Sequence, residues 1–125
     1  VTDSKIIDSS VWVSYITKKL HVKLIDSEET QYLSVLSLFE ISKKLIKDKI
    51  PEKDIEENIS FIKEKSILMP VTTEIAERAI KISSEHNVPA MDSLIYATAL
   101  THNLMLITLD NNFRGLKDVQ ILEIE

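Results

Sequence analysis

Four acidic side chains stand at the edges of apolar segments, where together they would suit the coordination of a metal ion. Asp8, Glu40, Asp92 and Asp110 lie in the segments IIDSS, SLFEIS, PAMDSLIYATAL and LMLITLDNNF. None of these segments contains a lysine, arginine or histidine to neutralise the acid. Carboxylates gathered in one pocket raise each other's pKa unless a cation is bound. The pattern therefore predicts a site for a hard divalent cation such as Mg²⁺ or Mn²⁺, if the fold gathers the acids.

Each acid, taken alone, also has an ordinary structural explanation. Glu40 follows Ser37 at the S-x-x-E spacing of a capping box. Asp92 is in the first turn of a predicted helix, where a carboxylate interacts favourably with the helix dipole. Asp8 and Asp110 follow predicted strands, and aspartate is common in the turns found there. Only the combination of the four indicates chemistry.

The order of hydrophobic patterns predicts how these acids are positioned. Short β-branched runs alternate with longer helical patterns, which is typical of an α/β fold with a parallel sheet. The predicted strands are residues 5–7, 32–36, 67–71, 104–108 and 119–124. Pro70 indicates that the third strand lies at a sheet edge or ends early. We expect a three-layer α/β/α domain, residues 1–125, around a central and mainly parallel sheet of about five strands.

Helices are expected between these strands. The segment VWVSYI is ambiguous, because it suits either a strand or a helix that begins at Ser10. The segment Asp26-Ser27-Glu28-Glu29 is expected to cap one short helix before the second strand. The other helices are predicted to begin at Ser37, at Pro51, at Thr72 or Thr73, and at Pro89, and the fifth and sixth to end at Asn87 and near Asn103.

A parallel sheet would bring the four acids to one place. The carboxyl ends of its strands share one edge, and ligands bind there where the strand order reverses. Asp8 and Asp110 directly follow strands, and Glu40 comes soon after the second strand. Asp92 begins the helix that leads into the strand before Asp110. All four acids can therefore reach the same rim of the sheet.

Composition restricts the classes of function. The chain has 125 residues, 44% of them hydrophobic, and fits one domain. It contains no cysteine, so that disulfides and thiolate metal sites are excluded. A net charge of -5 argues against a protein that coats nucleic acid non-specifically. No apolar run approaches the roughly 18 residues of a membrane span, and the first residues lack a signal-peptide pattern, so we expect a cytoplasmic protein without a membrane partner.

The segments IIDSSVW, SLFEI, MDSLIYATAL and LITLDNNF resemble the four motifs of PIN-domain ribonucleases, in particular small toxins of the VapC type. The resemblance covers essentially the whole chain. It implies an endoribonuclease dependent on Mg²⁺ or Mn²⁺, in which the four acids are the catalytic metal ligands, together with an RNA substrate, a cognate antitoxin protein and a homodimer. It also implies that Ser10 and Thr108 position water, metal or phosphate.

The chain departs from the family pattern at one position near the fourth acid. Family members often carry another carboxylate two residues after that acid, where this chain has Asn112. An amide accepts a hydrogen bond or coordinates weakly, so a weakened second metal site is expected. Arg114 and Lys117 follow and would suit a phosphate clamp, although solvated surface charge explains them as well. The segment before the second strand also looks short, which predicts a reduced helical arm.

Other functions remain open at this point. One is a PIN-like RNA-binding or RNA-processing module outside a toxin-antitoxin pair. Another is a phospho-acceptor signalling domain, which also gathers acids at strand ends, but IIDSS has a single acid and no lysine follows a late strand in the required place. No Ser-His-Asp set and no glycine-rich phosphate loop is present. Trp12 and Tyr15 would suit base stacking, with core packing the simpler explanation.

Overall fold

The computed structural model describes residues 4–123, which form a five-stranded sheet with helices on both faces. The strands are β1 (Lys5–Ile7), β2 (Gln31–Ser34), β3 (Ser66–Met69), β4 (Met105–Thr108) and β5 (Val119–Ile121). The helices are α1 (Ser9–Lys18), α2 (Val22–Ile25), α3 (Val35–Lys47), α4 (Glu52–Lys65), α5 (Thr73–His86) and α6 (Ala90–Thr101), with a 3-10 turn at Asn111–Phe113. None of these helices is long and apolar enough to cross a membrane.

The strands run in the order β3-β2-β1-β4-β5 and all pairs are parallel. The chain moves outward from β1 to β3 and then returns to place β4 on the other side of β1, so the order reverses between β1 and β4. A ligand site is expected at this switch point. The order also differs from the 2-1-3-4-5 order of phospho-acceptor signalling domains, which removes that alternative.

Two hydrophobic cores flank the sheet, one on each face. Ile6 of β1 and Leu106 of β4 pack with α5 and α6. Their neighbours Ile7 and Ile107 point the other way and pack with α1, α3 and α4. Successive side chains of a strand alternate between faces, and each fully buried isoleucine or leucine contributes roughly 1.5 to 3 kcal/mol to stability. The predicted three-layer arrangement is confirmed.

The ambiguous segment VWVSYI is helical. It lies inside α1, whose Val11 and Trp12 are fully buried. The helix ends at Lys19, whose left-handed backbone (φ 59°) is a common way to terminate a helix. The helix therefore runs back along the sheet from the end of β1.

Three predicted helix starts are wrong. The short helix α2 precedes Asp26, which is its C-cap, instead of following it. Ser34, not Ser37, is the N-cap of α3, and its hydroxyl accepts a hydrogen bond from the backbone N–H of Leu36 at 3.1 Å. Pro51 is an N-cap residue and lies just before the first turn of α4. The two polar signals were placed three or more residues from the observed caps, whereas Pro51 is only one residue before the first residue of α4.

The other predicted helix and strand boundaries lie closer to the observed ones. Thr72 caps α5 through a hydrogen bond from the N–H of Ile75 at 3.2 Å, and Asn87 terminates that helix with a left-handed backbone. β3 is an edge strand that ends before Pro70, as predicted. β2 is shorter than expected, because residues 35 and 36 already belong to α3. The last strand ends at Ile121, so its predicted extension over residues 122 and 123 is wrong, and residue 124 lies outside the described residues.

Candidate metal centre

Asp8 leaves β1 at the switch point and is the most buried of the four acids. Its side chain is 4% exposed, and its backbone N–H still bonds to the carbonyl oxygen of Ile107 in β4 at 2.9 Å. Its carboxylate oxygen Oδ2 accepts hydrogen bonds from Ser10 Oγ at 2.7 Å and from Thr108 Oγ1 at 2.8 Å. Burial raises the pKa of Asp8, and the two hydroxyl groups oppose that rise because they stabilise the charged form.

The two hydroxyl groups that hold Asp8 also bind the backbone at the end of β4. Ser10 Oγ accepts a hydrogen bond from the N–H of Leu109 at 3.0 Å, and Thr108 Oγ1 accepts one from the N–H of Asp110 at 3.0 Å. Each hydroxyl thus donates to the acid while it accepts from the neighbouring strand. Ser10 and Thr108 are therefore hydrogen-bonding neighbours of the acids. That they position water, metal or phosphate stays a prediction.

Glu40 lies in the second turn of α3 and is partly exposed. Its Oε1 atom accepts a hydrogen bond from Ser9 Oγ at 3.2 Å. Burial is the largest cause that raises the pKa of Glu40, and the negative charge of Asp8 is the next. Asp92 and Asp110 add smaller contributions in the same direction. Because Ser34 caps α3, the capping-box explanation of this glutamate is wrong.

Asp92 is in the first turn of α6, and its carboxyl group has an unusually high pKa. Burial, followed by the negative charges of Asp110 and Asp8, raises this pKa to about 6, although a hydrogen bond from Asn112 lowers it in part. A helix N-terminus by itself would lower the pKa of an acid. Burial, together with the neighbouring carboxylates, therefore outweighs the helix dipole at this position.

Asn112 contacts two of the acids through one amide group. Its side-chain nitrogen Nδ2 lies 3.1 Å from Asp92 Oδ2 and 3.5 Å from Asp110 Oδ2. Its backbone N–H donates to Asp110 Oδ1 at 2.8 Å. The amide therefore acts as a hydrogen-bond donor between the carboxylates, whereas the sequence suggested an acceptor or a weak metal ligand.

The four acids share one electrostatic environment at the rim of the sheet. The charges of Asp8, Asp92 and Asp110 all act on Glu40, and those of Asp8 and Asp110 act on Asp92. Within residues 4–123, however, no three histidine, aspartate or glutamate side chains are arranged around a common cation position. Mutual repulsion keeps carboxylates apart when no cation is bound. The donors are all oxygens, which fits Mg²⁺ or Mn²⁺.

Three other candidate residues lie apart from the acids or inside the core. Arg114 is exposed and its Nη2 atom donates to Asn111 Oδ1 at 2.7 Å, so the structure does not bring its guanidinium to the acids. Trp12 is fully buried. The suggestion that it stacks on a base is therefore wrong, and the explanation by core packing is confirmed. Tyr15 packs edge-on against Trp12 and donates its hydroxyl to Asp26 at 2.9 Å.

Ser9 is a site residue that the sequence reasoning missed. It donates to Glu40, whereas the following Ser10 donates to Asp8. Both serines lie in the first turn of α1, where side chains point toward the end of β1. The Asp-Ser-Ser sequence could have indicated this contact, because two successive side chains at the start of a helix can form hydrogen bonds with two different neighbours.

Comparison with known proteins bears on this arrangement of fold and acids. The PIN domain family matches residues 5–119, nearly the whole chain. The chain belongs to the PIN-domain family. The resemblance noted in its four acidic motifs is thereby confirmed. A comparison with curated protein sequences finds no significant relative of this PIN domain.

Solved structures share the fold of this PIN domain over almost their full length. A toxin-antitoxin complex from Klebsiella pneumoniae superposes with a TM-score of 0.79 at 22% identity, with 96% of this chain and 99% of that chain covered. VapBC2 from Rickettsia felis, bound to a promoter DNA fragment, gives 0.77 at 18% identity, covering 96% and 97%. VapC20 from Mycobacterium tuberculosis, a toxin that cleaves the sarcin-ricin loop, gives 0.72 at 13% identity, covering 95% and 97%.

Proposed function

We propose that this PIN-domain protein is an endoribonuclease that depends on Mg²⁺ or Mn²⁺ and is the toxin of a VapBC-type toxin-antitoxin pair. The observation that carries the proposal is the electrostatic coupling of Asp8, Glu40, Asp92 and Asp110 at the switch point of the sheet. The neighbouring negative charges raise the pKa of Glu40 and Asp92, and a bound cation would relieve that repulsion. Structural neighbours of similar length include a VapBC complex and, separately, a VapC toxin that cleaves the sarcin-ricin loop.

The four acids are the proposed ligands, and the surrounding residues prepare them for that role. Ser10 and Thr108 hold the carboxylate of Asp8 in one orientation, and Ser9 does the same for Glu40. The metal, when bound, polarises a phosphate and lowers the pKa of a coordinated water. Asp92, with its pKa of about 6, is mostly deprotonated at pH 7, which is the form that coordinates a cation.

The surface beside the acids supports a protein partner. Phe39, next to Glu40 in sequence, is 58% exposed, and Val35 and Ile46 on the same helix are also exposed. Large apolar side chains on a surface commonly mark a binding site. We propose that the cognate antitoxin covers this exposed face of α3 and that a homodimer brings two acid sites together.

Substitution of one acid tests the proposed chemistry. Asp92→Asn is expected to lower RNA cleavage in Mg²⁺ or Mn²⁺ by about a hundredfold or more, because it removes a charged ligand. Asp54→Asn is the matched control, since Asp54 is also in the first turn of a helix but lies exposed on α4. Cleavage is measured on labelled RNA after circular dichroism has confirmed the fold of both variants. Equal cleavage by the Asp92 variant and the control would contradict the assignment.

Expression in cells tests the toxin role separately from the chemistry. We expect growth arrest on expression of the wild-type chain, none with Asp92→Asn, and recovery when the cognate antitoxin gene is co-expressed. RNA cleavage in vitro without any effect on growth would instead indicate an RNA-processing module outside a toxin-antitoxin pair.

A further inference from the structure

A basic cavity lies on the face of the sheet that α1 covers, and none of the four acids lines it. It measures about 540 Å³ and lies between the α1–α2 turn and strands β4 and β5. Its basic lining residues are Lys5, Lys19, His21 and Lys23. No aspartate or glutamate of residues 4–123 lines it, although acids outnumber bases in the chain by 20 to 15. The cavity is therefore a local region of positive charge on an acidic protein.

The charge at the mouth of this cavity is only partly neutralised. Lys5 forms an ion pair with Glu29 at 2.9 Å. Lys19 and Lys23 are both exposed and form no ion pair with any residue between 4 and 123. Two such ammonium groups attract an anion, and each is a strong hydrogen-bond donor.

The apolar part of the lining defines the chemical class of the ligand. Leu20, Leu24 and Leu122 line the same cavity as the lysines. A free inorganic anion has no use for apolar contacts, whereas a nucleotide presents a phosphate together with the flat face of a base. The cavity thus combines positive charge, which attracts the backbone of a single-stranded nucleic acid, with aliphatic side chains that offer apolar contact to a base in place of an aromatic stacking surface.

Helix α1 connects this cavity directly with the acids. Ser9 at its start contacts Glu40, and Lys19 at its end lines the cavity. The two residues are ten positions apart, which corresponds to about 15 Å along a helix. We propose that the cavity is a second RNA-binding site, which holds a phosphate and its base outside the scissile position. This proposal rests on the proposed function for the identity of the strand.

Binding of RNA without cleavage tests the second site. The probe is a fluorescein-labelled oligouridine, titrated in EDTA so that divalent cations are absent, with fluorescence anisotropy as the readout. The test variant is Lys19→Gln with Lys23→Gln. The control is Lys63→Gln with Lys81→Gln, which removes the same charge from exposed lysines outside the cavity.

We expect the cavity variant, but not the control, to bind oligouridine about tenfold more weakly. The plot of log affinity against log salt is also expected to become shallower by about 1.4, since each phosphate contact on a single strand contributes roughly 0.7. Nuclear magnetic resonance provides a second readout, in which oligouridine shifts the amide signals of His21 and Leu24 in the wild-type chain. Equal affinity of the two double variants, or amide shifts confined to other parts of the chain, overturns the proposal.

The experiment separates this inference from the proposed nuclease activity. If Asp92→Asn still cleaves RNA while the cavity variant binds oligouridine weakly, the metal-site assignment fails and the second site stands. If the cavity variant and its control bind oligouridine equally while Asp92→Asn has lost cleavage, the reverse holds. Failure of the wild-type chain to bind oligouridine at all, or binding of an acidic peptide at the cavity in its place, also overturns the second site.

Discussion

Asn112 shows how a single neutral residue changes the balance of charge among the acids. Its amide nitrogen contacts both Asp92 and Asp110 and supplies partial positive charge where the two carboxylates meet. Family members with a carboxylate at this position would add negative charge there instead. The amide lowers the pKa of Asp92, yet that pKa remains about 6. The amide therefore offsets only part of the effect that burial and the neighbouring acids have on Asp92.

The raised pKa of Asp92 predicts a pH dependence of stability in the metal-free protein. The folded chain binds this proton more tightly than the unfolded chain, in which the pKa is near 3.8. Its contribution to stability is therefore present at pH 4 and is lost as the pH rises through about 6. Asp92→Asn removes this dependence, so at pH 7 in EDTA the variant should exceed the wild type by about 1 kcal/mol, after allowance for partial exposure.

Urea unfolding gives the free energy of unfolding of the wild type and of Asp92→Asn. The prediction is tested by comparing the difference between these two free energies at pH 4 with the difference at pH 7. Asp54→Asn, on the exposed start of α4, is the control and should show no such change. A wild-type protein that gains stability over the variant as the pH rises from 4 to 7 would contradict the prediction.

At the scale of elements, the start of α3 decides where Glu40 points. The sequence predicted a capping box between Ser37 and Glu40, but Ser34 is the residue that caps the helix. Ser37 is buried, and its hydroxyl has no hydrogen-bond partner within residues 4–123. The two serines lie three residues apart, so both assignments give a helix of nearly the same extent, and only the hydrogen bond to Leu36 distinguishes them.

The capping assignment predicts different effects for two similar substitutions. Ser34→Ala should lower the free energy of unfolding by about 1 kcal/mol, because the N–H of Leu36 loses its acceptor. Ser37→Ala should leave stability unchanged or raise it slightly, because it removes a buried hydroxyl without a partner. Chemical unfolding of the two variants provides the measurement. A larger loss from Ser37→Ala would favour the capping box over the observed cap.

Hydrophobic periodicity predicted the number and order of the strands and most helices, because each element buries one continuous face. The exact ends were harder to predict. Asp26-Ser27-Glu28-Glu29 has the composition of a helix start, yet α2 precedes it, because burial of Ile25 outweighs local capping preference. Pairing partners such as Ser9 with Glu40 depend on how two helices pack and leave little trace in sequence.

At the scale of the whole molecule, the placement of the acids followed from topology. Asp8 and Asp110 were assigned to one rim because both follow strands of a parallel sheet, and the strand order confirms that β1 and β4 are neighbours. The basic cavity was not predicted. Its residues come from the α1–α2 turn and from distant strands, and three lysines scattered along a sequence give no sign that they meet.

Cation binding should stabilise the whole chain. A ligand that binds only the folded state adds about 2.7 kcal/mol at a hundred times its dissociation constant, which for a chain of this size raises Tm by about 10 °C. We expect such a rise with Mg²⁺ or Mn²⁺ in a thermal unfolding assay, with full reversal by EDTA. Asp8→Asn should abolish it. An equal rise in that variant would place the stabilising cation elsewhere.

The hydrogen bond between Thr108 and Asp8 joins two residues separated by 100 positions in the chain. During synthesis the ribosome makes β1 early and β4 late, and β1 lies between β2 and β4 in the sheet. A nascent chain that has not yet released β4 lacks Thr108 and Asp110, and Asp8 then has no strand on one side. The acid site therefore assembles only after the ribosome has released β4, so the order of synthesis makes its two central acids available at different times.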